Sequence, residues 1–259
     1  MSSEPILLAL AGAQGRMGRA VEAAARARND LALVGGFDRA DGDAQRAQRE
    51  AVIRAAAVIV DFTTAAASAE LAALCAGHGG PRLVIGSTGF DAAQDAAIRA
   101  AAERIAIVRA GNFSLGVNLL IGLVRQAARA LPAGAYDIEV LEAHHRRKVD
   151  APSGTALMLG EAAAAGRGVA LSDVAERGRD GIGEPRRQGA IGFASLRGGG
   201  VVGEHSVLFA AEDELITLAH SARDRSLFAR GALEAAVWVA DKPPGLYDMQ
   251  DVLGGWLRA

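Results

Sequence analysis

Residues 6–18 read Ile6-Leu7-Leu8-Ala9-Leu10-Ala11-Gly12-Ala13-Gln14-Gly15-Arg16-Met17-Gly18, an unbroken apolar run that ends in a glycine-rich turn and passes at once into helix-forming residues. Such a run is the pattern of a strand buried on both faces, as in a parallel sheet. The spacing G-x-x-G-x-x-G suits a sharp strand-to-helix turn, in which missing side chains let backbone N–H groups approach a phosphate at the helix N-terminus. It differs from the commoner G-x-G-x-x-G, and an ordinary turn with a packing glycine would give the same letters. Asp38 raises the first reading above the second. It ends the next apolar run about 20 residues after the loop, where a carboxylate can accept hydrogen bonds from ribose hydroxyls. Arg39 follows, a cation suited to a 2′-phosphate or simply to solvent, so NADH and NADPH both fit.

Outward from this loop, apolar runs recur at residues 31–37, 57–62, 83–85 and 105–108, with helix-forming stretches at 16–28, 65–78 and 92–104. This βαβ rhythm predicts a parallel sheet wrapped by helices. Between Arg39 and Arg54, the group Asp41, Gly42 and Asp43 predicts a loop with room only for a short crossover helix. The turns Phe62-Thr63-Thr64 and Gly86-Ser87-Thr88-Gly89 leave strand ends on the same sheet edge as the glycine loop, where they would line ribose and nicotinamide. After Asn112 the rhythm changes. A helix over 115–130 leads to a strand at 136–142, a motif segment, a helix starting near Ser153 and a Gly- and Arg-rich loop over 178–189. Runs at 190–196, 203–209 and 214–220 then alternate as strands of a mixed or antiparallel sheet. A helix at 226–240 and a tail at 245–257 resume the earlier character. The fold class expected is therefore α/β. A Rossmann-like parallel-sheet nucleotide-binding domain is made by residues 1–113 and 225–259, and an α+β domain with a mixed sheet by 114–224.

Composition limits the function. With 51% hydrophobic and 22% charged residues, the 259-residue chain is ordinary globular protein. A formal charge of −2 gives no general attraction to nucleic acid or anionic membranes. The single cysteine, Cys75, fits a reducing compartment and reads as a small core residue on a helix. Glu4 stands where a secretion signal needs positive charge, and no stretch approaches the roughly 18 apolar residues of a membrane span. A cytoplasmic enzyme with a small-molecule substrate is expected, with no nucleic-acid or membrane partner.

The segment that carries chemistry is Glu142-Ala143-His144-His145-Arg146-Arg147-Lys148-Val149-Asp150-Ala151-Pro152-Ser153-Gly154-Thr155-Ala156. A strand end followed by a helix N-terminus makes an anion site, because the N–H groups of Gly154 and Thr155 and the Thr155 hydroxyl can converge on one carboxylate. Lys148 adds a full positive charge. As a nucleic-acid patch the run lacks aromatics and a surrounding basic stripe. Adjacent histidines on a strand point to opposite faces and no carboxylate or thiol pattern completes a chelate, so no metal is expected. Asp150 and Ser153 read as structural, as candidates for the helix cap.

These blocks carry a family resemblance. EAHHRRKVDAPSGTA resembles the motif of the dihydrodipicolinate reductases, and GAQGRMG, DFTTAA, GSTGF, AGNFSLGVN, IGFASLRGGGVVGEH and GLYDMQDVL are similar to that family's other blocks in the same order. The resemblance spans nearly the whole chain. It implies hydride transfer from NADH or NADPH to 4-hydroxy-tetrahydrodipicolinate with loss of water, on the route to lysine. It also implies roles for the matching residues. His144 is the acid–base residue, Lys148 a proton donor and carboxylate partner, and His145, Gly154 and Thr155 the substrate cradle. Gly12, Ala13, Gln14, Gly15, Arg16 and Met17 hold the dinucleotide, together with Gly86, Ser87 and Thr88 and with Ala110, Gly111, Asn112 and Phe113. A homotetramer built through the second domain's sheet is implied as well. Between Asp38 and the strand at 57–62 the chain is shorter than the family pattern, which leaves the choice of coenzyme open. An aspartate dehydrogenase of similar plan would keep the glycine loop without the HHxxK block. A non-catalytic dinucleotide sensor would have no need of His144 and Lys148 beside a carboxylate cradle.

Overall fold

A computed structural model describes residues 4–39 and 42–254. In chain order the elements are β1 (Ile6–Ala11), α1 (Arg16–Arg26), β2 (Leu31–Phe37), α2 (Asp43–Ala55), β3 (Val58–Asp61), α3 (Ala65–Gly77), β4 (Arg82–Ile85), α4 (Ala92–Ala102) and β5 (Ala106–Arg109). There follow α5 (Leu115–Ala130), β6 (Asp137–His144), α6 (Gly154–Gly166), α7 (Leu171–Val174), β7 (Ala175–Arg177), β8 (Ile191–Arg197), β9 (Gly203–Ala210) and β10 (Leu215–Ala222). Last come α8 (Ser226–Val239), β11 (Gly245–Tyr247) and α9 (Met249–Val252). The described residues fall into two units, 4–114 with 226–252, and 115–225 with 253 and 254.

The first unit is built on a parallel sheet in the order β11-β5-β4-β3-β1-β2. Alternate residues of each strand enter separate cores. Leu8, Leu10, Val58, Val60, Val84 and Val108 pack with α1 and α8 on one face. Ala9, Ala11, Ile59, Leu83, Ile85 and Ile107 pack with α3 and α4 on the other. Both faces are thus covered, the condition that lets parallel strands be apolar throughout. Because β1 is flanked by β2 on one side and β3 on the other, the connections diverge there. The crevice outside its carboxyl end is where such sheets take ligands.

One feature of this unit differs from the sequence expectation. α2 is a full helix of 13 residues rather than a short crossover, with Gly42 as its N-cap and Asp43 in its first turn. An aspartate that reads as a turn former is stabilising at this place, because it complements the helix dipole, and the pairs Asp43–Arg46 and Glu50–Arg54 support the exposed face. Asp41 lies outside the described residues, as do 255–257 of the expected tail. The tail does supply β11, which joins the sheet edge beside β5.

The second unit is a mixed sheet, β10-β9-β6-β8-β7, in which β6, β8 and β7 are mutually parallel while β9 pairs antiparallel with both β6 and β10. α5 and α6 cover one face through Val124, Leu159 and Ala163 against Ile138, Val140, Phe193, Val207 and Phe209. β6 runs two residues beyond the expected end, through His144, and the short α7 and β7 had no counterpart in the sequence reading. No described helix is long and apolar enough to cross a membrane.

Candidate functional site

In the first unit, the expected dinucleotide residues all follow strand ends on the carboxyl edge of the sheet. Gly12 leaves β1 at φ +78°, a conformation that favours glycine, and donates its N–H to Phe37 O at 2.9 Å. Gly18 lies so close to the turn that a Cβ would stand 2.2 Å from Gly12 O, so the loop can fold onto α1 only with glycine here. α1 begins at Gly15 with no side-chain cap and no acidic residue in its first turn. That leaves a helix N-terminus with favourable potential for a phosphate, and the cradle fits a dinucleotide. The structure brings Asp38 to the loop, where its carboxylate accepts from Gln14 N at 3.1 Å. Asp38 and Arg39 are both exposed.

The loops after β3 and β4 are tied together from beneath. Asp61, fully buried, accepts from Thr63 N at 2.8 Å, from Thr63 Oγ1 at 2.6 Å and from Ser68 Oγ at 2.6 Å. Ser68 in turn is 2.6 Å from the hydroxyl of Ser87, one of the expected cofactor residues. Burial raises the Asp61 carboxyl above its ordinary value against these hydrogen bonds. The Phe62 ring meets Phe113 edge to face at 5.7 Å and presses on Gly86, where a Cβ would lie 2.2 Å from it. Asn112 Oδ1 accepts from Ser114 N at 2.8 Å and shapes the turn after β5. Cys75 is buried in α3, and burial pushes its thiol up to about 12, which suits a core residue. Asp61 and Ser68 were missed by the sequence reading. The signal was a carboxylate ending the run Val58-Ile59-Val60-Asp61, in phase with buried neighbours.

In the second unit, the strand register builds the site. Glu142 and His144 are two apart on β6 and so share a face with Ile138 and Val140. Glu142 lies opposite His205 on β9, and His144 opposite Arg197 on β8. The apolar face of the sheet therefore turns polar at the carboxyl end of β6. Glu142 is only 3% exposed. It receives a two-pronged pair from Arg197, Nη1 to Oε2 at 2.8 Å and Nη2 to Oε1 at 2.7 Å. It also accepts from Ser153 N at 3.2 Å, and its Oε2 is 2.5 Å from His144 Nδ1. Burial alone would raise the Glu142 carboxyl, but Arg197 and His144 bring it down to about 2.

Ser153 caps α6 by accepting from Ala156 N at 3.2 Å, and its hydroxyl is 3.0 Å from His205 Nε2. Ser153 is thus the cap expected of it, whereas Asp150 pairs with Lys148 Nζ at 2.8 Å. The His144 and His205 rings meet edge to face at 5.1 Å. Burial pushes His205 down to about 4, with His144 adding to the shift. Burial also lowers His145, as do Arg147 and Arg225, whose Nη2 is 3.4 Å from His145 Nε2. Gly154 and Thr155 open α6, whose first turn carries no acidic residue, and a Cβ on Gly154 would meet nothing within 4 Å. The N-terminus of α6 thus has space and favourable potential for a carboxylate. Glu142, Arg197 and His205 had no assigned role in the sequence reading. Among the described residues no group of three or more His, Cys, Asp or Glu is placed to hold a metal ion.

Known proteins resemble this chain over nearly its whole length. The family models described as dihydrodipicolinate reductase N-terminus and C-terminus match residues 6–113 and 116–253. The chain is 62% identical over 254 residues to the 4-hydroxy-tetrahydrodipicolinate reductase of Caulobacter vibrioides, covering 97% of this chain and 98% of that one. It is 53% identical over 271 residues to the enzyme of that name from Dinoroseobacter shibae, covering 98% of this chain and all of the other. Among solved structures, a dipicolinate-bound dihydrodipicolinate reductase from Paenisporosarcina sp. TG-14 shares the fold with a TM-score of 0.77 at 24% identity, covering 95% of this chain and 98% of that one.

The low value at His205 has a measurable consequence. Its ordinary value is 6.5 and its folded value about 4, so between these the unfolded chain takes up the proton first. The residue's contribution to stability is complete above pH 6.5 and is lost as pH falls toward 4, on the order of 3 kcal/mol in all. Urea midpoints between pH 7 and pH 4 should therefore fall less steeply for His205→Gln than for the parent. Parallel curves would mean that His205 charges without cost in the folded protein.

Proposed function

Because the chain belongs to the dihydrodipicolinate reductase family, we infer that it reduces 4-hydroxy-tetrahydrodipicolinate to tetrahydrodipicolinate with loss of water, a step of diaminopimelate and lysine biosynthesis. The observation that carries this reading is the block from Glu142 to Ala156. It sets a histidine at a strand end, with a lysine and a helix N-terminus following in the same short segment. A nicotinamide dinucleotide supplies the hydride when bound. Reduction of an imine-like ring builds charge that must be met by a proton, and His144, with Lys148, supplies it. Gly154, Thr155 and His145 bind the carboxylates of the substrate. A dicarboxylate ligand is in keeping with the dipicolinate carried by the Paenisporosarcina enzyme.

On this reading residues 1–113 and 225–259 bind the dinucleotide and 114–224 the substrate. α8 supports that division by packing on α1 and on β3, β4 and β5. The Gly12–Met17 backbone holds the pyrophosphate, while Gly86, Ser87 and Thr88 with Ala110, Gly111, Asn112 and Phe113 hold the nicotinamide half. Asp38 favours free ribose hydroxyls and Arg39 a 2′-phosphate. The enzyme works in the cytoplasm as a homotetramer associated through the sheet face opposite α5 and α6. That face exposes Leu196 and Leu215 at 67% and 59%.

Five outcomes test these assignments. In coupled turnover, with the upstream aldolase supplying the labile substrate, nicotinamide absorbance should fall only when substrate is present. Arg39→Ala should weaken NADPH selectively, and equal loss for both coenzymes would take Arg39 out of the site. His144→Gln should lower kcat by about 100- to 10,000-fold with modest change in KM. Thr155→Val should instead raise KM more than it lowers kcat, since one hydrogen bond to a charged group contributes roughly 1.5–3 kcal/mol. Retention of full turnover by His144→Gln would assign the proton to Lys148 or water. Light scattering should give the mass of four chains, and the mass of one chain would refute association through the sheet.

A further inference from the structure

The ring of His144 has a neighbour whose chemistry decides how it can act. Glu142 Oε2 lies 2.5 Å from His144 Nδ1. An ionised carboxylate can only accept hydrogen bonds, so a bond at this distance requires the proton on Nδ1. Nε2 is then the nitrogen left to take or give a proton. Gly203 on β9 leaves that edge of the ring clear, because a Cβ there would stand only 3.1 Å from Nε2 and crowd it. Glu142 is held in the ionised form by the Arg197 fork and by Ser153 N. Arg197 is itself fixed by Leu196 O and Asp150 O, each at 2.6 Å.

We propose that Glu142, charge-balanced by Arg197, is the positioning residue that fixes His144 as the Nδ1–H tautomer and directs its Nε2 to proton exchange. This rests on the proton-transfer role given to His144 above. Arg197 is as important to the device as the carboxylate. A lone buried carboxylate would form an exclusive ion pair with a charged imidazole and resist its discharge. With the guanidinium already holding both oxygens, Glu142 orients the ring in either protonation state. His205, neutral and edge-on at 5.1 Å, limits rotation of the ring without adding charge.

The test uses the full chain, 15N-labelled at histidine. Two-bond 1H–15N spectra, taken where the ring is neutral and assigned by loss of the signal in His144→Gln, should show a protonated Nδ1 and a bare Nε2. In Glu142→Gln, whose amide can also donate, the population should move toward Nε2–H. Its kcat should drop by at least about tenfold, and by as much as ~10,000-fold if the wrong tautomer dominates, with KM for substrate and coenzyme little changed. In a His144→Gln background Glu142→Gln should cost nothing further. If Glu142→Gln leaves Arg197 too poorly satisfied to fold, the paired variant Glu142→Gln/Arg197→Met removes both charges and carries the same expectation. A bare Nδ1 in the parent, or full turnover in Glu142→Gln while His144→Gln is slow, overturns the proposal. Full turnover in His144→Gln overturns the role of His144 itself, and the proposal with it.

Discussion

A carboxylate buried at the end of a strand cannot be left to itself, and the cost of keeping Glu142 out of water organises the second unit around it. Desolvating an unpaired charge costs several kcal/mol, so each acceptor position must be filled. Arg197 supplies two donors from β8, Ser153 N a third from the start of α6, and His144 a fourth from the same strand. One anion therefore ties together two strands and a helix N-terminus. Removing any partner leaves the others partly unsatisfied, which makes the arrangement stiff. Stiffness is what proton transfer needs, since a ring misplaced by an ångström loses much of its effect.

The first unit buries a carboxylate at a comparable place, with a different balance. Asp61 ends β3 among hydroxyl and amide donors, with no ion pair to it among the described residues, and burial raises its carboxyl against those donors and the charge of Arg49, whereas the Glu142 carboxyl is brought down to about 2. The contrast follows from the donors. A guanidinium offsets a full charge, while Thr63 and Ser68 only solvate one. Asp61 thus fits a packing role under the loops that follow β3 and β4. It fixes Ser87 through Ser68.

How much of this was legible in the letters varies with the range of the interaction. The strands of the first unit, its glycine loop and α8 could be read from local runs, because burial on both faces leaves a continuous apolar signal. α2 was underread, because Asp43 is a turn former by type and a helix stabiliser by position. Glu142 was visible as a polar residue in phase with Ile138 and Val140, yet that phase had no meaning until its partners were known. Its ion-pair partner Arg197 and its register neighbour His205 are more than 50 residues away, and only the register of β6 with β8 and β9 brings them to it. The motif's near neighbours could be read from sequence, but the groups that hold them could not.

The same register brings Arg197, at the end of β8, to the strand end that Lys148 follows, and the two cations differ in what they already hold. Arg197 is committed to a buried carboxylate, and releasing it would strand that charge. Lys148 is paired with Asp150, whose side chain is 55% exposed. An ion pair so open to water contributes little, generally under about 1 kcal/mol, and its partner can be exchanged at small cost. A dicarboxylate arriving near the start of α6 would thus meet one cation that can change partners and one that cannot. On the role proposed for Lys148, its charge would be available to the ligand, while Arg197 stays with Glu142, the carboxylate that holds His144.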